Sequence, residues 1–476
     1  MLTDRHVLQF LSFMILAFVM TGLGGCVPGL APVAINPSIP QHFLDQRARA
    51  EAVDVRWWRS FHESELDRLA ALTLANNFDI AAAEARITQA NAAAGLAGAP
   101  LLPTINLNGN YTHSKPSAND GPVSPSPQDS QQLGLTATYE IDFWGKNRAT
   151  AQAAQSTALA SIFDVETVRL SSLAATANAY FAVLAAHEQA ANTLSNLRNA
   201  RAVLAVIGAQ VKAGTATALD QAQQQNIVDT LAASVPPLRL SVAQNEAALA
   251  LLTGVPPESL RLRGGSLSGV RLPPVAPGLP AQILERRPDV ASAEMQLEAN
   301  AASLTAARAA FFPSITLTGQ GGFQSPSLLS LFRPRNLFYS LASGLTAPIF
   351  DNGRLQSTFA QTKGRQDELI ATYKKSVISA FSDVDKALAS LRYLTLQEAL
   401  QRRALASSQK AYNLSQLQLK AGIVNLVTML NTETSLFTAR NALVSTRLAR
   451  LQAIVSLYQA LGGGWEGGNG RSSSIR

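Results

Sequence analysis

Hydrophobic and polar positions change period twice along this chain. Leu297, Leu304 and Ala307 recur at helical spacing among small and charged residues. After Pro313, Ile315, Leu317, Gly319, Gly321 and Phe323 alternate with Ser314, Thr316, Thr318, Gln320 and Gly322. That period of two is a strand with one apolar and one polar face. Pro313 marks the switch, because proline cannot continue a helix through its own position and drives its neighbour extended. The same switch occurs at Pro103, where Ile105, Leu107, Gly109 and Tyr111 share one face. A chain that makes this transition twice reads as a duplication.

The remaining elements follow the same logic. Trp57-Trp58-Arg59-Ser60-Phe61 opens the folded part, and Ser64 is placed to cap a helix reaching about Leu96. Ser114 to Ser130 is a loop. In the next strand Leu133, Leu135, Ala137, Tyr139 and Ile141 oppose Gly134, Thr136, Thr138 and Glu140, and Phe143-Trp144-Gly145-Lys146 closes it. Asn147 to Ala213 lacks proline and predicts a helix of ~100 Å. Gly214 supplies a left-handed cap. A return helix begins near Thr217, breaks at Pro236-Pro237 and resumes to Gly254. In the second copy a fourth strand carries Tyr339, Leu341, Leu345, Ala347 and Ile349 on one face. A second long helix runs to Lys420-Ala421-Gly422, and the last returns from Leu426 to Leu461. There Leu430, Phe437, Val444, Leu451 and Tyr458 recur every seven residues, beside a second seam of Leu448 and Val455, as in a coiled coil.

The chain divides accordingly. Residues 1–25 are expected to be a signal peptide and 26–56 an extended lead, lipidated if Cys26 is modified as its resemblance to a lipobox implies. Residues 57–254 are a first repeat with strands at about 104–113 and 131–143. A linker, 255–279, precedes a second repeat, 280–465, with strands at about 314–323 and 338–349. A flexible tail, 466–476, ends the chain.

Composition narrows the function. Of 476 residues, 47% are hydrophobic, 15% charged and 6% aromatic, which suits long, closely packed helices. No stretch after the first 25 residues reads as long and apolar enough for a membrane-spanning helix. The net charge of +7 is scattered along helices, without a basic stripe for nucleic acid. His6, His42, His62, His113 and His187 lack metal-ligand spacing, and no nucleophile motif or phosphate-cradling loop is present, so no enzyme, metal site or cofactor is expected.

The N-terminus directs export. Arg5 and His6 precede the apolar run Val7 to Met20 and the small residues before Cys26, the only cysteine. Leu23-Gly24-Gly25-Cys26 resembles the bacterial lipobox, which implies S-diacylglycerol and N-palmitoyl groups on Cys26. Val27, in place of an aspartate retention signal, points to the outer membrane. The alternatives are an uncleaved anchor and an ordinary signal with an incidental cysteine.

Topology adds a constraint. Each copy runs helix, strand, loop, strand, helix, so both helices leave the hairpin on one side. Strands of about ten residues with one apolar face suit an outer membrane. Four strands cannot close a barrel, and an open edge is not viable in lipid. Two chains would supply eight strands, a barrel filled by its own side chains; three would supply twelve and leave a lumen, so a conduit favours the trimer. Thr104, Asn106, Asn108, Asn110, Thr316, Thr318 and Gln320 would then line it. The alternative is the wet face of a soluble sheet.

Several motifs together resemble a known family. Leu284-Glu285-Arg286-Arg287-Pro288-Asp289-Val290, Ala309-Ala310-Phe311-Phe312-Pro313-Ser314-Ile315-Thr316-Leu317 and Ala347-Pro348-Ile349-Phe350-Asp351 look like TolC-like outer-membrane efflux lipoproteins of the OprM/NodT branch. Tyr139-Glu140-Ile141-Asp142-Phe143-Trp144-Gly145 and Ser234-Val235-Pro236-Pro237-Leu238 also match. The resemblance implies a mainly α trimeric channel-tunnel: a long-helix α-barrel, a twelve-stranded β-barrel with four strands per chain, and two internal repeats. It implies an exit channel for drugs and other small molecules, supplied by a periplasmic adaptor and an inner-membrane pump of the resistance-nodulation-division (RND) type. A type I protein secretion channel and a periplasmic coiled-coil structural protein are the alternatives. Helix-tip turns at Lys212, Gly214, Lys420 and Gly422 would meet the adaptor, and Pro103 and Pro313 mark helix–strand junctions. The periplasmic entrance would carry Asp220, Thr428 and Asn431; the last two stand where the family commonly has carboxylates. Asp220 alternatively caps a solvated helix start.

Overall fold

The computed structural model describes residues 54–115, 127–262, 265–274, 280–463 and 465. The signal peptide, Cys26, the lead segment through residue 53 and the tail lie outside the described residues.

The helices are α1 (Ser64–Asn76), α2 (Phe78–Gly98), α3 (Lys146–Lys212), α4 (Ala218–Thr253), α5 (Pro280–Arg286), α6 (Pro288–Ala309), α7 (Arg354–Lys420) and α8 (Leu426–Ala460). The strands are β1 (Thr104–Ser114), β2 (Gln128–Ile141), β3 (Ser314–Ser325) and β4 (Leu337–Thr346). Lys146 and Arg354 begin the two long helices and Lys212 and Lys420 end them, each pair 208 positions apart, as a duplication requires. The chain forms two compact units.

The first unit comprises Thr88–Ala160 and Glu294–Thr372 and holds the sheet. All neighbours are antiparallel, in the order β1-β2-β3-β4. The register aligns Leu107, Leu135, Gly321 and Tyr339 in one row, and Ile141, Ile315 and Leu345 in another. Between these rows of the apolar face, Asn106, Thr136, Gln320 and Ser340 align on the other face. Each strand therefore adds its apolar positions to a single continuous face. β4 stops at Thr346, so Ala347 and Ile349 fall beyond the strand: Pro348 has no N–H to extend the ladder.

Gly134 and Gly322 face each other across β2 and β3. A Cβ on Gly322 would overlap the Leu133 carbonyl oxygen and the Gly134 Cα, so the two backbones approach more closely than side chains permit. Below the sheet, Trp144 Nε1 donates to the Pro313 carbonyl at 2.7 Å and its ring stacks on Phe312 at 4.7 Å. Asp142 accepts from Asn147 and Arg148 backbone N–H groups and starts α3; Asp351 accepts from Leu355 N and starts α7.

The second unit comprises the described residues of Pro37–Ile87, Ser161–Ala293 and Tyr373–Arg476. Its main core gathers Trp57, Phe61, Leu66, Leu69, Phe181, Leu249, Leu451 and Val455. Trp57 stacks on Tyr458 at 5.2 Å, and Phe61 tilts against Phe181 at 5.1 Å. The seven-residue seam of α8 is inside: Leu430, Val444, Leu451 and Tyr458 are buried.

Four expectations are corrected. The helix expected from Ser64 to about Leu96 is interrupted at Asn77, whose Oδ1 accepts from Asp79 N and Ile80 N while its amide donates to the Leu252 carbonyl. Ser64 caps nothing, because Glu63 occupies the N-cap position. The return helix does not break at Pro236-Pro237. α4 continues through both. Each proline forfeits one helical hydrogen bond, but burial of Leu231 and Val235 beside Leu197 and Ala200 keeps the backbone in line. Finally, a window of α3 is long and apolar enough to cross a membrane by length and composition, and 56% of it is buried inside the fold. Alanine raises its hydropathy, and closely packed helices use the same residue to approach one another.

Candidate functional site

Two surfaces carry the sites expected from sequence. The first is the polar face of the sheet, with Thr104, Thr138, Thr318 and Ala342 in one row and Asn106, Thr136, Gln320 and Ser340 in the next. Asn108 Nδ2 donates to Thr136 Oγ1 at 3.0 Å, so these side chains are held along the wall. The groups are neutral donors and acceptors, which offer hydration without binding one charge tightly. Phe338 also belongs to this face. Its row is completed by Gly322, Gly134 and Asn108. Sequence reading started the strand at Phe338 but tracked only its apolar partners; counting back one position from Tyr339 would have placed this ring among the polar residues. Pro313 sits at the junction and accepts from Trp144, while Pro103 follows the short turn Ala99–Leu101.

The second surface is the pair of helix tips. Each long helix ends on Lys212 or Lys420 and turns through glycine, Gly214 at φ 76° and Gly422 at φ 68°. Gly214 N donates to Val211 O and Thr215 N to Gln210 O; Gly422 N donates to Leu419 O and Ile423 N to Gln418 O. Both are paired C-terminal caps that consume the last carbonyls. The return helices are capped in two ways. Thr217 Oγ1 accepts from Asp220 N at 3.2 Å, and Asp220 Oδ2 accepts from Thr217 N at 2.9 Å and from its hydroxyl at 2.7 Å. In the second tip Asn425 Oδ1 accepts from Thr428 N at 3.0 Å and from its hydroxyl at 2.8 Å. Asp220 and Thr428 hold equivalent places, and the acceptor moves from the third helical residue to the cap. The Thr217 hydroxyl, then its N–H, hold the Asp220 carboxyl below the usual carboxylate range.

A groove of about 680 Å³ joins the tips and is lined by Val206, Gln210, Asp220, Leu419, Lys420 and Met429, among others. Asp220, Lys420 and Gly422 therefore meet at one groove. Thr428 and Asn431 are exposed and do not line it; Lys212 and Gly214 also stand outside its lining.

A third cluster was not legible from sequence. Glu398 on α7 is 1% exposed and accepts from Arg402 Nη2 at 2.6 Å, Arg450 Nη1 at 2.8 Å and Arg447 Nη1 at 3.3 Å. Burial pushes its carboxyl up, but the Arg450 and Arg402 hydrogen bonds outweigh it and hold the group below its ordinary value. Arg447 also donates from Nε to Leu267 O, and from Nη2 to Ser268 O and Val270 O, each at 2.9 Å. The segment between the repeats is thereby tied to α7 and α8.

The chain matches the family described as outer membrane efflux protein twice, over residues 69–255 and 279–463. It is 39% identical over 452 residues to the pyoverdine export outer membrane protein OpmQ of Pseudomonas aeruginosa, covering 93% of this chain and 95% of that one. It is 31% identical over 458 residues to the cation efflux system protein CusC of Escherichia coli, covering 94% and 98%. Among solved structures, the Campylobacter jejuni CmeC outer membrane channel superposes with a TM-score of 0.86 at 25% identity, over 93% of this chain and 96% of that one. The open state of the Neisseria gonorrhoeae MtrE outer membrane channel gives 0.82 at 28% identity, over 92% and 98%. With two family matches that span both repeats, a sheet apolar on one face and polar on the other, and two helices of 67 residues, the chain belongs to the outer membrane efflux protein family and is an outer-membrane efflux channel.

Proposed function

We propose that three copies of this chain form one passive duct, the exit of a tripartite efflux system. The observation that carries this is the open sheet: β1 and β4 are its two edges, yet its apolar face is continuous from edge to edge. Unpaired backbone groups at such edges are untenable in hydrocarbon. Pairing β1 of one copy with β4 of the next removes every edge, and twelve strands leave a lumen walled by Thr104, Asn106, Asn108, Asn110, Thr316, Thr318 and Gln320. The groove between the helix tips supports docking of a periplasmic adaptor on Lys420 and Gly422, with Lys212 and Gly214 on the neighbouring turn, and through it an RND-type inner-membrane pump. Asp220, Thr428 and Asn431 ring the periplasmic entrance. Cys26 carries S-diacylglycerol and N-palmitoyl groups that anchor the mature chain to outer-membrane lipid. The neutral lumen wall accords with cargo of varied charge, drugs and other small molecules among them.

Purified full-length protein reconstituted in planar bilayers tests this. Discrete channels from a species with three times the chain mass are expected, and a non-conducting monomer overturns the reading. Mass analysis of the N-terminal peptide is expected to show a triacylated Cys26, and a free thiol there removes the anchor.

A further inference from the structure

The turn between β3 and β4, residues 326–336, is not explained by conduction. α6 precedes β3 and α7 follows β4, so this turn lies at the end of the sheet away from the helices. It reads Pro-Ser-Leu-Leu-Ser-Leu-Phe-Arg-Pro-Arg-Asn. Leu329 is 97% exposed, and Leu328 and Phe332 are also open. Of its three leucines only Leu331 is buried.

The loop is held in this form by its own polar groups. The Ser325 and Ser330 hydroxyls bond to each other at 2.6 Å, Ser327 N donates to Ser325 Oγ at 3.2 Å, and Asn336 Nδ2 donates to the Ser330 carbonyl. Its direction is fixed by one aromatic contact. Phe332 packs edge-on against Phe323 with centroids 5.6 Å apart. Phe323 stands in register with Leu133 and Leu337, on the apolar face of the sheet. Phe332 thus continues the apolar face, and the exposed Leu328 and Leu329 stand in the same loop. Beside them Arg333 and Arg335 are exposed, and neither guanidinium is paired with a carboxylate among the described residues. Exposed apolar side chains beside arginines that no carboxylate holds match an interfacial anchor, where arginine meets phosphate bidentately.

We propose that loop 326–336 is an outer-leaflet anchor: Leu328, Leu329 and Phe332 enter the acyl region while Arg333 and Arg335 bind the phosphates of the acylated, phosphorylated glycolipid of that leaflet. This rests on the reading that the apolar face of the sheet meets lipid. It assigns the loop to the membrane and not to closure of the duct.

The test uses full-length Leu329→Trp protein, with wild type subtracted, in phosphatidylcholine vesicles containing lipid A and brominated acyl chains. Emission from position 329 is expected to be blue-shifted and quenched by the brominated lipid. Titration of the detergent-solubilised variant with lipid A is expected to give a dissociation constant that rises roughly tenfold or more when Arg333→Gln and Arg335→Gln are added, with weaker binding of phosphatidylglycerol throughout. Unquenched, water-like emission from protein that still conducts overturns the anchor and places the loop over the exit or in water. A constant unmoved by the arginine substitutions, or equal for the two lipids, overturns glycolipid recognition. Failure of wild type to insert or conduct would instead strike at the channel reading itself.

Discussion

Arg447 spans from Glu398, at 3.3 Å, to the backbone carbonyls of Leu267, Ser268 and Val270. One guanidinium thus shares with Arg402 and Arg450 in satisfying a buried carboxylate and ties down the segment that joins the repeats. Glu398→Ala leaves three arginines around an empty site, and loss of one partner from a buried charge cluster costs about 3–5 kcal/mol. The expected result is a clear fall in the unfolding temperature, with release of residues 265–270 in hydrogen exchange. Because the folded carboxyl titrates below its ordinary value, its contribution is fully present above the unfolded pKa of about 4.3. It is lost as pH falls through the lower folded value. Wild type should lose this margin only in acid, and Glu398→Gln should show no such acid step.

Glu433 on α8 behaves in the opposite sense. It is buried, its Oε2 has no hydrogen-bond partner among the described residues, and burial raises its carboxyl above the ordinary value. Folding therefore favours the protonated form. The penalty is absent below the unfolded pKa and grows as pH rises toward the folded one. Glu433→Gln is expected to raise the unfolding temperature at neutral pH and to match wild type in acid, as read by thermal melts across that range.

The close approach at Gly134 and Gly322 sets a steric test. Gly322→Ala forces a Cβ into the Leu133 carbonyl and the Gly134 Cα. Such overpacking costs about 1–3 kcal/mol and here falls on backbone that cannot rotate away. Gly344→Ala meets nothing within 4 Å and is the control. Heat-modifiable, folded protein in outer-membrane fractions should fall for the first and hold for the second.

At the tips, Asp220 has two roles that can be separated. Asp220→Ala removes both the charge and the capping box; Thr217→Ala removes the box and keeps the charge. If Asp220 narrows the entrance, single-channel conductance rises for Asp220→Ala alone. Both variants should weaken amide protection in the first turn of α4. Equal conductance for both leaves Asp220 a cap only.

Phe338 shares its row with two glycines and an asparagine on the polar face. Three copies would place three rings at one level of the lumen. Phe338→Ala is expected to raise single-channel conductance at unchanged thermal stability of the assembled protein. An unchanged conductance would assign the ring to covering Gly322 and Gly134.

The alternation of Ile105, Leu107 and Tyr111, and of Ile315, Leu317 and Phe323, was enough to place the strands and their apolar side, because side-chain direction in a strand is fixed by parity alone. Pro313 and Pro103 marked the junctions for an equally local reason, and Gly214 and Gly422 marked the tips through the left-handed turn that glycine permits. The lipobox-like run ending at Cys26 lies outside the described residues, and its lipidation stands as proposed. Tertiary structure decided the rest, since it depends on partners distant in sequence. Asn77 interrupts its helix because the Leu252 carbonyl is there to receive its amide. Pro236 and Pro237 stay inside α4 because the surrounding core holds Leu231 and Val235 in place. Glu398 reads as one more helical surface charge until Arg402, Arg447 and Arg450 close around it. Local pattern fixes period and direction; which polar groups are buried, and what satisfies them, is settled only when segments far apart along the chain are brought into contact.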